Sequence, residues 1–172
     1  MHHKTFTRHG SEASLGIMMT LAHEQLDQLF YEADSELRAE TGPALLLTRY
    51  ITAIRAHIDL EETVLTPMFS GAQPEYANSP MAVMHVEHEQ ILRQVDLIEH
   101  LLQDLETNRS DLRAWMALLA ASLAAHEFRE ETMVFPRWDR QGKALPNSAQ
   151  FLQWLDGQLT QTVRWRSYEL TR

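Results

Sequence analysis

Apolar residues recur at helical spacing along nearly the whole chain, and nothing between residues 11 and 136 alternates like a strand. From about Ser11 to Glu40 the series is Leu15, Met18, Met19, Ala22, Leu26, Leu29, Phe30, Ala33 and Leu37, one apolar stripe of an amphipathic helix. Residues 1–10 read as an extended arm. Thr41-Gly42-Pro43 ends this helix and starts the next, with Gly past one end and Pro near the following start. The second helix carries Leu46, Leu47, Tyr50, Ile54, His57, Ile58, Glu61 and Leu65 and is expected to stop near Pro67. Gly71, Pro74, Asn78 and Pro80 then mark a loop. Ser79-Pro80 opens a third helix, to about Glu106. Asn108-Arg109-Ser110 reads as a connector, with Ser110 as the N-cap of a fourth helix from about Asp111 to near Pro136. After Gly142 and Pro146, Asn147 or Ser148 caps a fifth helix carrying Phe151, Leu152, Trp154, Leu155, Leu159, Val163 and Trp165.

Four long amphipathic helices with short connections predict an all-α fold, an up-down-up-down antiparallel four-helix bundle over 1–140. Residues 141–172 are expected to form a C-terminal helical extension packed on the same domain. Its apolar face covers one end of the bundle or, in the alternative, forms a homodimer surface.

Composition narrows the chemistry. At 172 residues the chain is one domain able to bury a real core. It has no cysteine, which excludes disulfides, thiolate-held zinc, cysteine-ligated clusters and thiol catalysis. A net charge of -9 with no basic run argues against a nucleic-acid partner. No apolar stretch approaches the roughly 20 residues of a membrane span. The run Leu15–Ala22 follows Lys4 and Arg8 as in a signal peptide, but Glu12 interrupts the basic region and the run flows into an amphipathic pattern containing His23. A cytoplasmic location is expected.

The unusual count is 9 histidines, and an internal repeat organises them. His57-Ile-Asp-Leu-Glu61-Glu62-Thr63-Val-Leu-Thr-Pro67 and His126-Glu-Phe-Arg-Glu130-Glu131-Thr132-Met-Val-Phe-Pro136 both read H-x-x-x-E-E-T-x-x-x-x-P. The preceding helices repeat as well, His23-Glu24-Gln25-Leu26 beside His88-Glu89-Gln90-Ile91. The chain is two related helical hairpins, each supplying one His from its first helix and a His and a Glu from its second. Residues i and i+4 share a helix face, so His57 points with Glu61 and His126 with Glu130. Counted at 1.5 Å per residue from the turn near Gly42, His23 lies roughly 26 Å along its helix, and His57 and Glu61 roughly 21 and 27 Å along theirs. With a turn near Asn108, His88 lies about 29 Å from it, and His126 and Glu130 about 24 and 30 Å. Each hairpin thus brings its set to one level.

Four imidazoles and two carboxylates inside a bundle do not sit there bare, because buried carboxylates repel each other and resist desolvation. Cations resolve both problems. Imidazole and carboxylate without thiolate suit iron, manganese or zinc. Two carboxylates related by the repeat suit a bridging role between two metals, with two His for each. His85, three residues before His88, lies on a neighbouring face within reach of the same level, and its counterpart Thr20 is no ligand. With His85 bound, one metal has three His and the other keeps the open position.

The pattern resembles the hemerythrin-like, or HHE cation-binding, family over about 15–136. The resemblance implies an oxo- or hydroxo-bridged pair of iron ions, with manganese or zinc as substitutes, that binds O2 or NO. Carried over by position, the ligands are His23, His57, Glu61, His88, His126 and Glu130. Blood-pigment hemerythrins have His-x-x-x-His on the third helix, whereas this chain has His85-x-x-His88 with Met84 where the first of that pair would fall. They have His-x-x-x-x-Asp on the fourth, whereas this chain has His126-x-x-x-Glu130. These departures point from a simple O2 carrier toward a bacterial sensor, store or repair protein. Ferritin-like proteins use Glu-x-x-His pairs, and zinc proteases need His-Glu-x-x-His; neither fits.

The first functional expectation is a metal- and ligand-binding protein rather than an enzyme, a di-iron protein binding O2 or NO for sensing, storage or detoxification. The alternative is an iron donor or iron–sulfur cluster repair factor under nitrosative or oxidative stress. It ranks second because repair proteins resembling this chain usually add an N-terminal Cys-containing domain that this sequence does not carry. A helical partner-binding protein with a vestigial site ranks third. Around the centre, Glu62 and Glu131 read as solvated acids, with contact to a histidine as the alternative. Tyr50 reads as packing, with a hydrogen bond to a bound ligand as the alternative. His100, His9, His2 and His3 read as exposed, and the methionines and Trp115 as core.

Overall fold

The computed structural model describes residues 14–39, 44–69, 79–142 and 148–164. The arm at 1–10, the Thr41-Gly42-Pro43 turn, the loop at 70–78 and Trp165 lie outside them. α1 spans Leu15–Arg38, α2 Leu45–Leu60, α3 Thr66–Phe69, α4 Pro80–Leu101, α5 Leu105–Arg129, α6 Phe135–Gly142 and α7 Ser148–Arg164. Among the described residues there is no strand. α1 packs on α2 and α5, and α4 on α2 and α5, which closes the four-helix ring the periodicity predicts. No described helix is long and apolar enough to cross a membrane.

Local chemistry sets the helix starts. Ser14 Oγ accepts from the Ile17 N–H at 3.3 Å, and Ser79 Oγ from the Ala82 N–H at 3.1 Å with Pro80 at the first helical position. The third turn departs from expectation. A 3-10 turn at Leu102–Asp104 separates α4 from α5, so Ser110 lies inside α5 rather than capping it. Asp104 leaves helical backbone (φ -133, ψ 72), its carboxylate accepts from the Thr107 N–H at 3.3 Å, and Asn108 donates to the Leu101 carbonyl at 3.1 Å. The 3-10 turn comes earlier than the connector expected at Asn108, yet the equal-depth expectation holds: Gln94 donates to Ser122 at 3.0 Å and Arg129 pairs with Glu87, both pairs centred on residue 108. The side chains of His88 and His126 meet at one level.

The helices expected to stop near Pro67 and Pro136 instead run past them. Each passes through a π-helical turn, Glu61–Leu65 and Glu130–Val134, at the same place in the repeat. The Thr66 N–H bonds the Glu61 carbonyl, and the Phe135 N–H the Glu130 carbonyl, five residues back. The wider turn moves the carbonyl four residues back away from the proline ring that follows, so the chain stays helical. Thr63 Oγ1 donates to the Asp59 carbonyl and Thr132 Oγ1 to the Phe128 carbonyl, both at 2.6 Å, stitching the widened turns from outside.

The apolar core is in two parts. One holds Leu26, Tyr50, Ile54, Ile91, Val95, Leu119 and Leu123, with Trp115 packed against it. The other holds Leu15, Met19, Leu65, Met84, Val134, Phe135 and Trp138, together with Leu155 and Leu159 of α7. α7 therefore closes the end of the bundle against α1 and α2, while Trp154 faces outward. Of the methionines, Met18, Met19, Met81, Met84 and Met116 are core, whereas Met68 and Met133 are exposed. Between the two apolar parts lies a layer of buried polar residues.

Candidate metal centre

That layer is His23 of α1, His57 of α2, His88 of α4 and His126 of α5, with Glu61 and Glu130 leading the two π-helical turns, all six buried. One donor atom each from His23, His57, Glu61 and Glu130 lie within 4.8 Å of one another, and so do one each from Glu61, His88, His126 and Glu130. Both carboxylates belong to both groups. Nε2 of His23 faces Nε2 of His57 at 3.2 Å, and Nε2 of His88 faces Nε2 of His126 at 3.0 Å. The carboxylate oxygens stand 3.1 to 3.6 Å from these nitrogens, within ion-pair reach. Their angles make no hydrogen bond, and all four oxygens of Glu61 and Glu130 are buried without a hydrogen-bond partner. Such a set is costly unless a cation satisfies it. Imidazole nitrogens and carboxylate oxygens are donors that transition-metal ions take.

The outer ring nitrogens fix the imidazoles. His88 Nδ1 donates to Glu62 at 2.6 Å, His23 Nδ1 to Glu131 at 3.1 Å and His126 Nδ1 to Glu87 at 3.2 Å. A carboxylate only accepts, so each Nδ1 carries hydrogen and Nε2 points inward. Arg129 pairs with Glu87 from the far side. Glu62 and Glu131 are thus partners of histidines and not free surface acids. Each reaches across to the hairpin it does not belong to.

Burial alone would drive the imidazoles neutral, but the facing carboxylates outweigh it. His23 is raised to about 9, His88 to about 11, and His126 above its ordinary value. Burial and mutual repulsion push Glu61 upward, yet the imidazoles hold it at about 2; Glu130 is held well below the carboxylate range in the same way. In the metal-free protein, protons therefore take the place of cations.

His85 stands apart from the six. Its side chain is 59% exposed and bonds Glu62 at 3.1 Å, with Glu89 at 3.7 Å. Three residues from His88 rotate it about 60° off the inward face, and Glu62 keeps it outside. Tyr50 is buried in the apolar core against Phe30 at 5.6 Å between ring centroids. His100 is exposed, while His2, His3 and His9 lie outside the described residues. Glu127 escaped sequence reasoning: it is buried, and burial raises its carboxyl to about 7. The repeat held a signal for it, because position 127 corresponds to the apolar Ile58 and is thus a core position.

No protein-family model matches the chain, and no solved structure does. Curated relatives exist. The iron-sulfur cluster repair protein YtfE of Salmonella schwarzengrund is 28% identical over 127 residues, covering 66% of this chain and 58% of its own length. The proteins of the same name from Salmonella paratyphi B and Salmonella newport match to the same extent. The chain therefore spans under two thirds of the length of these relatives. It is homologous to iron-sulfur cluster repair proteins, and the His and Glu groups that could hold metal fall within its helical bundle.

Proposed function

We propose that the chain is a non-haem di-iron protein that supplies iron in the repair of damaged iron–sulfur clusters, acting in the cytoplasm. His23 and His57 would hold one ion and His88 and His126 the other, with Glu61 and Glu130 common to both donor groups. Bound there, iron would supply a redox-active, exchangeable metal pair. The observation that carries this reading is the sharing of two buried carboxylates, all four oxygens without a hydrogen bond, between two pairs of facing imidazoles. The name of the relatives directs it to iron and to cluster repair, ahead of the ligand-binding role that ranks first on sequence alone. The test is to load metal-free protein anaerobically with Fe(II), count bound iron, and add it with sulfide and thiol to an enzyme whose [4Fe–4S] cluster NO has destroyed. Two irons per chain and faster recovery than with free Fe(II) are expected. Two bound irons with no gain over free Fe(II) would remove the repair role.

A second reading is binding of O2 or NO at the same centre. Four imidazoles against two carboxylates favour it, since two imidazoles and two shared carboxylates give each ion four protein donors and leave room for a small ligand. Titration of the iron-loaded protein with NO or azide should then change its near-ultraviolet spectrum with saturation.

A further inference from the structure

The two ion positions are related by the repeat but are not held alike. At the His88/His126 position both imidazoles are fixed from outside, His88 by Glu62 and His126 by Glu87, which Arg129 holds in turn. At the His23/His57 position only His23 has such a carboxylate, Glu131. His57 has none among the described residues, because the repeat counterpart of Glu87 is Ala22 and that of Arg129 is Leu60. A carboxylate on Nδ1 orients an imidazole and makes it a stronger donor, and its loss typically costs 10–100-fold in metal affinity.

The surroundings differ in the same sense. A surface cavity of about 390 Å³ adjoins Glu131, and the ionisable residues lining it are the carboxylates Glu24, Glu131 and Asp139. The cavity beside Glu62, at the other position, has two carboxylates, Asp59 and Glu62, and the guanidinium of Arg55, which pairs with Asp96 and Glu99. With three carboxylates and no cation in its lining, the first cavity favours a departing cation more than the second does.

We infer that the ion between His23 and His57 is the exchangeable one and leaves through the acidic cavity beside Glu131, while the ion between His88 and His126 is retained. This rests on the dinuclear reading above and assigns the donated iron to one position.

Chelator challenge of protein loaded with two equivalents of Fe(II) tests it. Two phases of equal amplitude are expected, their rates at least about tenfold apart. Glu131→Gln should speed the fast phase, and Glu87→Gln the slow phase about tenfold while leaving the fast one. Arg129→Met, at a partly exposed position, should act as Glu87→Gln does but more weakly, and serves if Glu87→Gln lowers helicity. Glu24→Lys, at an exposed position on the cavity rim, should slow the fast phase alone. A single release rate, or Glu87→Gln acting on the fast phase, overturns the inequality; Glu24→Lys without effect overturns the route. Failure to bind two equivalents at all would instead remove the dinuclear reading, a separate result.

Discussion

Replacing Glu130 with Gln removes one negative charge from the centre while keeping the size of the side chain. Glu130 lies 3.3 Å from His23, 3.1 Å from His126 and 3.6 Å from His88. In the metal-free protein, burial opposes the charge on His23, and attraction to the Glu130 carboxylate 3.3 Å away leads the effects that raise it from 6.5 to about 9. A shift of that size favours the charged form by about 3 kcal/mol, of which about 2.5 kcal/mol is realised at pH 7 and goes largely with Glu130. The metal-free variant should melt roughly 5–10 °C below the wild type at pH 7, at 2–4 °C per kcal/mol for a chain of this size. The pH dependence follows from the signs. A histidine whose folded value is raised stabilises fully below its unfolded value near 6.5 and ceases to do so as pH rises through its folded value. The gap should be widest near pH 6 and narrow as pH passes 9, with His88 preserving part of it toward 11. Because Glu130 belongs to both donor groups, bound metal should also fall from two ions toward one or none. Thermal melts of metal-free protein by circular dichroism at pH 6 and 10, with metal analysis of loaded samples, make the test. A variant as stable as the wild type at pH 6, or a gap of the same size at pH 10, would refute the reasoning.

His85→Ala should leave two ions bound and both release rates unchanged, since His85 is outside the cluster; loss of an ion on metal analysis would restore it as a ligand. Metal uptake should release protons and weaken progressively as pH falls below about 9, because His23, His88 and His126 must give up protons held against the carboxylates; uptake in weak buffer with a pH indicator reads this directly. Thr63→Val and Thr132→Val should each cost about 1 kcal/mol by removing the hydroxyl bonds across the π-helical turns, and should lower metal affinity where a conventional helical threonine would not. Gly16→Ala, ordinarily stabilising in a helix by up to about 1 kcal/mol, should here lower the melting temperature, because a Cβ would meet Asp139 Oδ2 at 2.9 Å and Phe135 Cβ at 3.3 Å.

The repeat made the six buried residues legible, since spacing of four on a helix decides which side chains share a face. The helical stripes made the bundle legible for the same reason. What escaped was chemistry that periodicity does not encode. Pro67 and Pro136 read as stops because a proline ends an α-helix, and only a widened turn lets the chain run through. Asp104 and Ser110 are both good capping residues, and the choice between them was made by Asn108 closing the end of α4. Glu62 and Glu131 looked solvated because their partners lie on the other hairpin, 26 and 108 residues away in sequence.

Those two crossing acids bear on the origin of the molecule. Each hairpin carries the carboxylate that the other hairpin's histidine needs, so one hairpin alone leaves its own histidine untied and the acid with nothing to hold. An ancestor with a single hairpin would satisfy both contacts by pairing with its own copy about a twofold axis. Within one polypeptide the two halves need not stay alike, and they differ where Ala22 stands opposite Glu87 and Ile58 opposite Glu127.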